Sequence, residues 1–284
     1  MSKKILVTGA SGQVGQALQV LAQQHRDLTF LFTNRHQLDI RQEDQVSSFF
    51  DAQQPDVCIN CAAYTAVDKA ETDQDSALLL NDRAVGFLAK ACQENQSHLL
   101  HISSDYVYHN SLNRPLRETD PCQPQSIYAK SKLAGDERAL RLHPQTHILR
   151  TSWVYSPWGN NFVKTMLRLG REREQIRVVY DQIGAPTYAP DIAEALLQFI
   201  THPGAPAGIY NFANAGVASW YDFAKAIFDM AEINCQVTPI PSSAYPTPAK
   251  RPHYSLLDTQ KIVDALGMEI SHWRDRLRQC LKEM

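Results

Sequence analysis

Tyr128 and Lys132 stand four residues apart in Tyr128-Ala129-Lys130-Ser131-Lys132, a spacing that places both side chains on one face of a helix. A free phenol titrates at about pH 10 and is a poor acid at neutrality. An ammonium beside it favours the phenolate and brings its proton within reach of transfer. Upstream, Leu99-Leu100-His101-Ile102-Ser103-Ser104 reads as a strand that ends in hydroxyls and runs into Asp105, so Ser104 is placed to hold a carbonyl oxygen. A Tyr–Lys pair by itself is more often an ordinary surface pair. Here it is accompanied by Thr8-Gly9-Ala10-Ser11-Gly12-Gln13-Val14-Gly15, with glycines three apart. Glycines so spaced supply a tight turn, a close approach of backbone to a pyrophosphate, and close packing of helix on strand. Turns of this kind also occur without a ligand. This one follows the first strand and opens a helix, the setting of a dinucleotide-binding loop.

Such folds read the adenosine ribose at the end of the second strand, where an acid favours a free 2′-hydroxyl and a basic residue favours a 2′-phosphate. The chain has Thr33-Asn34-Arg35 there, which favours NADP(H), with NADH as the lesser alternative. The bland alternative for Arg35 is a solvated surface charge. Asp39-Ile40 is placed to border the adenine.

The elements that must position these groups follow from periodicity. Strands are expected over 4–8, 28–33, 57–62, 99–103 and 148–154, alternating with helices over 13–24, 43–53, 78–92 and 128–143. The βαβ alternation and nearly continuous apolar strands predict an α/β fold with a doubly wound parallel sheet. Residues 1–155 are read as a dinucleotide-binding Rossmann domain completed by segments near 188–214. Residues 156–284 are read mainly as a smaller substrate-binding lobe. In that lobe helices are expected over 161–173 and 191–200, and strands over 176–180 and 208–212. Five of the fifteen prolines fall between Pro239 and Pro252, which predicts an irregular ordered loop.

Composition narrows the classes. With 284 residues, 44% of them apolar and 20% charged, the chain can bury a sizeable core and is neither disordered nor fibrous. A net charge of −2 leaves no positive excess for neutralising phosphates, so nucleic acid is not expected as a partner. No run approaches the roughly 18 apolar residues of a membrane helix, and Gly9 interrupts the first apolar run too early for a signal peptide. A cytoplasmic protein is expected. The cysteines at 58, 61, 92, 122, 235 and 280 lack the spacing of a disulfide scaffold. Cys58 and Cys61 lie in an apolar strand-like run, where an odd separation points them to opposite faces, so no metal site is expected there.

The glycine triplet, Ser104 and Tyr128-x-x-x-Lys132, in this order and spacing, resemble the extended short-chain dehydrogenase/reductase family. Further stretches are similar to the members that reduce dTDP-linked 4-keto sugars: 62–71, 103–108, 151–155, Asp181-Gln182-x-Gly184-x-Pro186-Thr187 and Arg251-Pro252. The resemblance spans nearly the whole chain. It implies reduction of the 4-keto group of dTDP-6-deoxy-L-lyxo-4-hexulose to dTDP-L-rhamnose. Tyr128 would then be the proton donor, Lys132 would lower its pKa and hold the nicotinamide ribose, and Ser104 would orient the carbonyl. Asn81 falls where the family often adds a proton-relay residue, and Ala62, Ala63, Tyr64 and Thr65 would line the cofactor. Asp105 and Trp153 would contact the sugar, with a core aromatic as the alternative for Trp153, and Arg251 would clamp the diphosphate. Some members pair through a magnesium site that uses a glutamate on the first helix. Gly15-Gln16-Ala17-Leu18 carries no carboxylate, so no structural magnesium is expected, and a homodimer, if formed, would not be metal-linked. The competing readings are a reductase of another dTDP-4-keto-6-deoxyhexose, an epimerase, and a non-catalytic NADP-binding subunit related to that of methionine adenosyltransferase.

Overall fold

A computed structural model describes residues 2–109, 111–202 and 204–284. The first half alternates β1 (Lys3–Thr8), α1 (Gln13–Ala22), β2 (Leu28–Phe32), α2 (Glu43–Gln53) and β3 (Val57–Asn60). Short helices α3 (Val67–Ala70) and α4 (Gln74–Leu78) follow, then a π-helical turn over Leu79–Arg83, α5 (Ala84–Glu94) and β4 (His98–Ser104). Next come α6 (Ile127–Leu142), β5 (His147–Thr151), β6 (Val154–Tyr155), α7 (Phe162–Glu172), β7 (Gln175–Val179), β8 (Ile183–Gly184) and β9 (Thr187–Tyr188). The chain ends with α8 (Ala189–Thr201), β10 (Gly208–Phe212), β11 (Ala218–Ser219), α9 (Trp220–Met230), β12 (Gln236–Ile240), α10 (Gln260–Leu266) and α11 (Trp273–Lys282).

Six strands form one all-parallel sheet in the order β10-β5-β4-β3-β1-β2. Parallel pairing requires crossovers, and the helices that make them bury both faces. On one face Val14 and Leu18 of α1, Ile192 and Leu196 of α8, and Ile262 of α10 pack on Ile5, Val7 and Ile59. On the other, Val46 and Phe50 of α2 and Val85 and Leu88 of α5 pack on Leu6, Cys58 and Leu99. Cys58 and Cys61 thus sit on opposite sides of the sheet, Cys61 against the first cluster. The winding reverses between β1 and β3, whose carboxyl ends therefore flank a crevice.

A second core gathers α7, α9 and α11 around the two-stranded parallel sheet β7–β12, with Phe223, Ile227, Phe228 and Leu277 at its centre. The helices α9, α10 and α11 were absent from the periodicity reading. Three expected elements are also corrected. The strand expected to reach Val154 ends at Thr151, because Trp153 takes a left-handed backbone (φ 46°) and Val154–Tyr155 leaves the sheet to pair with β9. The proline-rich segment begins as strand: Pro239 lies in register with Val178, and a two-stranded edge tolerates its missing N–H. The helix expected over 78–92 is longer and is interrupted by the π-helical turn, a feature often found beside functional sites.

Candidate active site

The glycine loop sits at the winding reversal. Gly9 (φ +64°) passes so close to the next crossover that a Cβ there would lie 2.6 Å from the Ala62 backbone nitrogen. A Cβ on Gly15 would lie 2.5 Å from the Gly9 carbonyl oxygen. Gly12 caps α1 without any side-chain hydrogen bond, and the first turn carries no acid. The orphan amides of that turn therefore face the crevice with the helix dipole behind them, a ready anion site. Gly9, Ser11, Gly12, Asn34, Arg35, Asp39, Ile40, Ala62 and Ala63 all line the crevice. Val14 and Gly15 are buried beneath it. The Gln13 side chain is used elsewhere: its Oε1 accepts from Ser156 Oγ (2.9 Å) and Asn161 Nδ2 (3.0 Å), tying the loop to the start of α7.

Arg41 also lines this crevice and escaped the sequence reading. Its Nε and Nη2 donate to Asp39 Oδ1 (2.8 Å) and Oδ2 (2.5 Å), and this pair, with Arg35 Nε at 3.7 Å, holds the Asp39 carboxyl down to about 2. The Arg35 side chain is 71% exposed. The signal for Arg41 was a second arginine six residues after the first in the same loop.

Asn81, in the π-helical turn and fully buried, braces the segment after β3. Its Oδ1 accepts from Tyr64 N (2.8 Å), and its Nδ2 donates to Tyr64 O (3.1 Å) and Ser131 Oγ (3.0 Å). Thr65 continues that segment; its carbonyl accepts from Val67 N at 2.9 Å.

Beyond the crevice, β4 and α6 bring Ser104, Asp105, Tyr128 and Lys132 together. Ser126 caps α6 by accepting from Ala129 N (3.2 Å), which fixes the turn that carries Tyr128. Burial pushes the Tyr128 phenol up to about 12, opposed by a hydrogen bond with the Ser104 hydroxyl. Its ring stands edge-on to Tyr106, 5.7 Å between centroids. Lys132, 2% exposed, donates from Nζ to the Ile102 carbonyl (2.7 Å), and burial lowers it to about 8. The expected lowering of the phenol by this ammonium does not emerge, because burial of the phenol dominates and the ammonium is anchored on β4. Ser104 Oγ donates to Asp105 Oδ1 (3.1 Å); burial raises the Asp105 carboxyl to about 7 even though Ser255 and Ser104 hydrogen-bond to it.

The remaining predicted residues frame this cluster. Trp153 stacks on Trp220 at 3.6 Å between centroids, and its ring lies against Gly184 near Ser255. Neither core nor solvent claims it fully: it is half-buried. Arg251 is not an unengaged phosphate clamp, because Asp68 occupies it. Nη1 and Nη2 donate to the two Asp68 oxygens (3.0 and 2.6 Å), and Nη1 also to Ala249 O (3.1 Å). Asp68, 183 positions away, left no local signal for this pairing.

A glycine loop at the switch point of a doubly wound sheet, followed by a serine hydroxyl on the phenol of a Tyr-x-x-x-Lys helix, defines a dinucleotide-dependent reductase of the short-chain dehydrogenase/reductase kind. The chain belongs to the family described as the RmlD substrate binding domain, whose model matches residues 3–284. It is 43% identical over 285 residues to a dTDP-4-dehydrorhamnose reductase of Aggregatibacter actinomycetemcomitans, covering 97% of each chain. Among solved structures, a dTDP-4-dehydrorhamnose reductase from Clostridium acetobutylicum superposes with a TM-score of 0.95 at 38% identity, covering 99% of each chain. The Bacillus anthracis enzyme of that name, in complex with NADP, gives 0.95 at 35% identity and covers both chains fully.

Proposed function

We infer that the protein is an NADPH-dependent reductase that converts the 4-keto group of dTDP-6-deoxy-L-lyxo-4-hexulose to the alcohol of dTDP-L-rhamnose. One observation carries this reading: Ser104 and the Tyr128-x-x-x-Lys132 helix converge beside the switch-point crevice in a chain about 40% identical, end to end, to reductases of that name. The crevice suits the cofactor. Glycines stand where any Cβ would collide, uncapped amides of α1 face a pyrophosphate, and arginines stand where an adenosine 2′-phosphate would lie. When bound, the nicotinamide supplies the hydride.

The chain's own residues do the rest. Tyr128 donates its proton to the developing C4 alkoxide, and the charge it then carries is met by Ser104 and the Lys132 ammonium. Lys132 reaches the nicotinamide ribose, Asp105 and Trp153 take the sugar, and Ala62 to Thr65, braced by Asn81, line the cofactor. Arg251 acts here first as a clasp, holding the proline-rich loop to Asp68 across the mouth of the site. Six free thiols agree with action in the cytoplasm, and association of two copies belongs to the same reading.

The reaction is tested by following NADPH consumption with the keto sugar generated in place from dTDP-glucose, and by NMR of the product. Oxidation that depends on this protein and yields dTDP-L-rhamnose is expected. A folded, NADPH-binding protein that leaves this ketone untouched would sink the assignment.

Cofactor choice gives a sharper prediction. Arg41 makes the bidentate pair with Asp39, the one acid among the described residues lining the crevice, and Arg35, 3.7 Å from the same carboxylate and mostly exposed, can turn to the 2′-phosphate. Arg35→Ala should lower kcat/KM for NADPH about ten- to hundredfold, the worth of a charge-assisted hydrogen bond, and leave NADH nearly unaffected. An equal loss with both cofactors would assign Arg35 to the fold instead.

A further inference from the structure

Beneath Lys132 lies a buried set of charged and polar side chains. Asp136, one turn further along α6 and 1% exposed, accepts from Arg150 Nε of β5 at 3.1 Å. Its other oxygen, Oδ1, has no hydrogen-bond partner among the described residues and lies 3.9 Å from His101 Nε2 on β4. The state of His101 follows from its neighbours. The Ala62 N–H donates to Asn60 Oδ1 (3.1 Å), as does Thr8 Oγ1 (2.7 Å), so Asn60 turns its amide nitrogen to His101 Nδ1 at 3.0 Å. Nδ1 therefore accepts, and the proton of the neutral ring sits on Nε2, facing Asp136 and 3.4 Å from Lys132 Nζ.

The charges facing Lys132 can be counted by element. Helix α6 contributes Tyr128 and Asp136, β4 the neutral His101, and β5 the Arg150 guanidinium, which is 2% exposed. Asp105, after β4, faces Ser104 and the Tyr128 phenol. Two buried cations thus lean on one carboxylate, Arg150 through a direct hydrogen bond and Lys132 through its field across His101. Burying an ammonium is costly unless an anion offsets it, and here the offset is divided with Arg150.

We propose that Asp136 is a positioning residue, the shared counter-charge that keeps the Lys132 ammonium protonated and aimed beneath Tyr128. The proposal rests on the roles assigned above to Lys132 and Tyr128. The competing view makes Asp136–Arg150 a staple between α6 and β5 with no bearing on catalysis. The two differ in what happens when the charge alone is removed, since an asparagine side chain at this position keeps the shape and an acceptor for Arg150.

The test is the pH profile of kcat/KM for ketone reduction. In the wild type the alkaline limb should fall near pH 8, because Lys132 loses its proton long before Tyr128 does. In Asp136→Asn the limb should move about one pH unit to the acid side, costing about five- to sixfold at pH 8, about tenfold well above it and almost nothing at pH 6. Asp136→Glu should restore it. Arg150→Met removes the competing cation and should move the limb the other way, so the proposal remains testable even if Asp136→Asn fails to fold. A folded, NADPH-binding Asp136→Asn whose limb has not moved, with Lys132→Met inactive, would overturn the counter-charge role and leave the Lys132 assignment standing. An active Lys132→Met would overturn that assignment itself.

Discussion

Tyr128→Phe is expected to lower kcat about a hundred- to ten-thousandfold, the usual worth of a general acid, with NADPH affinity and thermal stability unchanged. The change is confined to one hydroxyl. Phenylalanine keeps the edge-on contact with Tyr106, and Ser104 keeps its bond to Asp105. The loss should be in the chemical step, because the phenol makes its strongest interaction only as it gives up its proton. Burial holds this phenol at about 12, so it stays protonated at every pH where the enzyme is expected to work, and the alkaline limb near pH 8 is not its own titration. Without help that burial would also make the phenolate too costly. Ser104 supplies help through its hydrogen bond to the phenol, and the Lys132 ammonium is proposed to add to it as the proton leaves, which is why Ser104→Ala should also slow the reaction, though less. A kcat for Tyr128→Phe within a few-fold of wild type would remove the phenol from the mechanism and favour a binding protein over an enzyme.

What was legible beforehand was local. The glycine triplet and the Tyr–Lys spacing declare themselves because their function depends on a single turn and a single helical face, and strands β1 and β3 declare themselves because their apolar runs are buried almost throughout. Arg41 was missed because its meaning depends on the Asp39 it neutralises. Arg251 was read from the affinity of guanidinium for phosphate, whereas a carboxylate 183 positions earlier claims it first. Trp153 looked like a strand residue; the stack on Trp220 and the left-handed backbone that ends the strand are both tertiary. Helix α9 carries a Ser219–Asp222 capping box, a signal present in the sequence but passed over. The same distinction separates Lys132, visible by spacing, from Asp136, which acquires meaning only when β5 delivers Arg150 to it.

Gly135 makes the last of these cases measurable. It lies on α6 between Lys132 and Asp136 and faces the π-helical turn, where a Cβ would land on the Asn81 carbonyl oxygen, far inside van der Waals contact. The obstacle is backbone on both sides, so neither helix can yield by changing a rotamer. Gly135→Ala should therefore cost about 3 kcal/mol, near the upper end for overpacking, despite the better helix propensity of alanine. For a chain of this size that corresponds to a fall in Tm of roughly 6–12 °C. Activity should fall as well, because Asn81 holds Tyr64 on one side and Ser131 on the other, and separating the helices moves the cofactor lining away from Tyr128 and Lys132. Gly86→Ala is the matched control. Its Cβ would meet the middle of the Arg138 side chain, which can shift only by loosening its pair with Asp82, so Tm should fall by clearly less than in Gly135→Ala. If the two alanines behave alike, the contact between α6 and the π-helical turn is not the rigid joint that sets the distance between the cofactor lining and the proton donor.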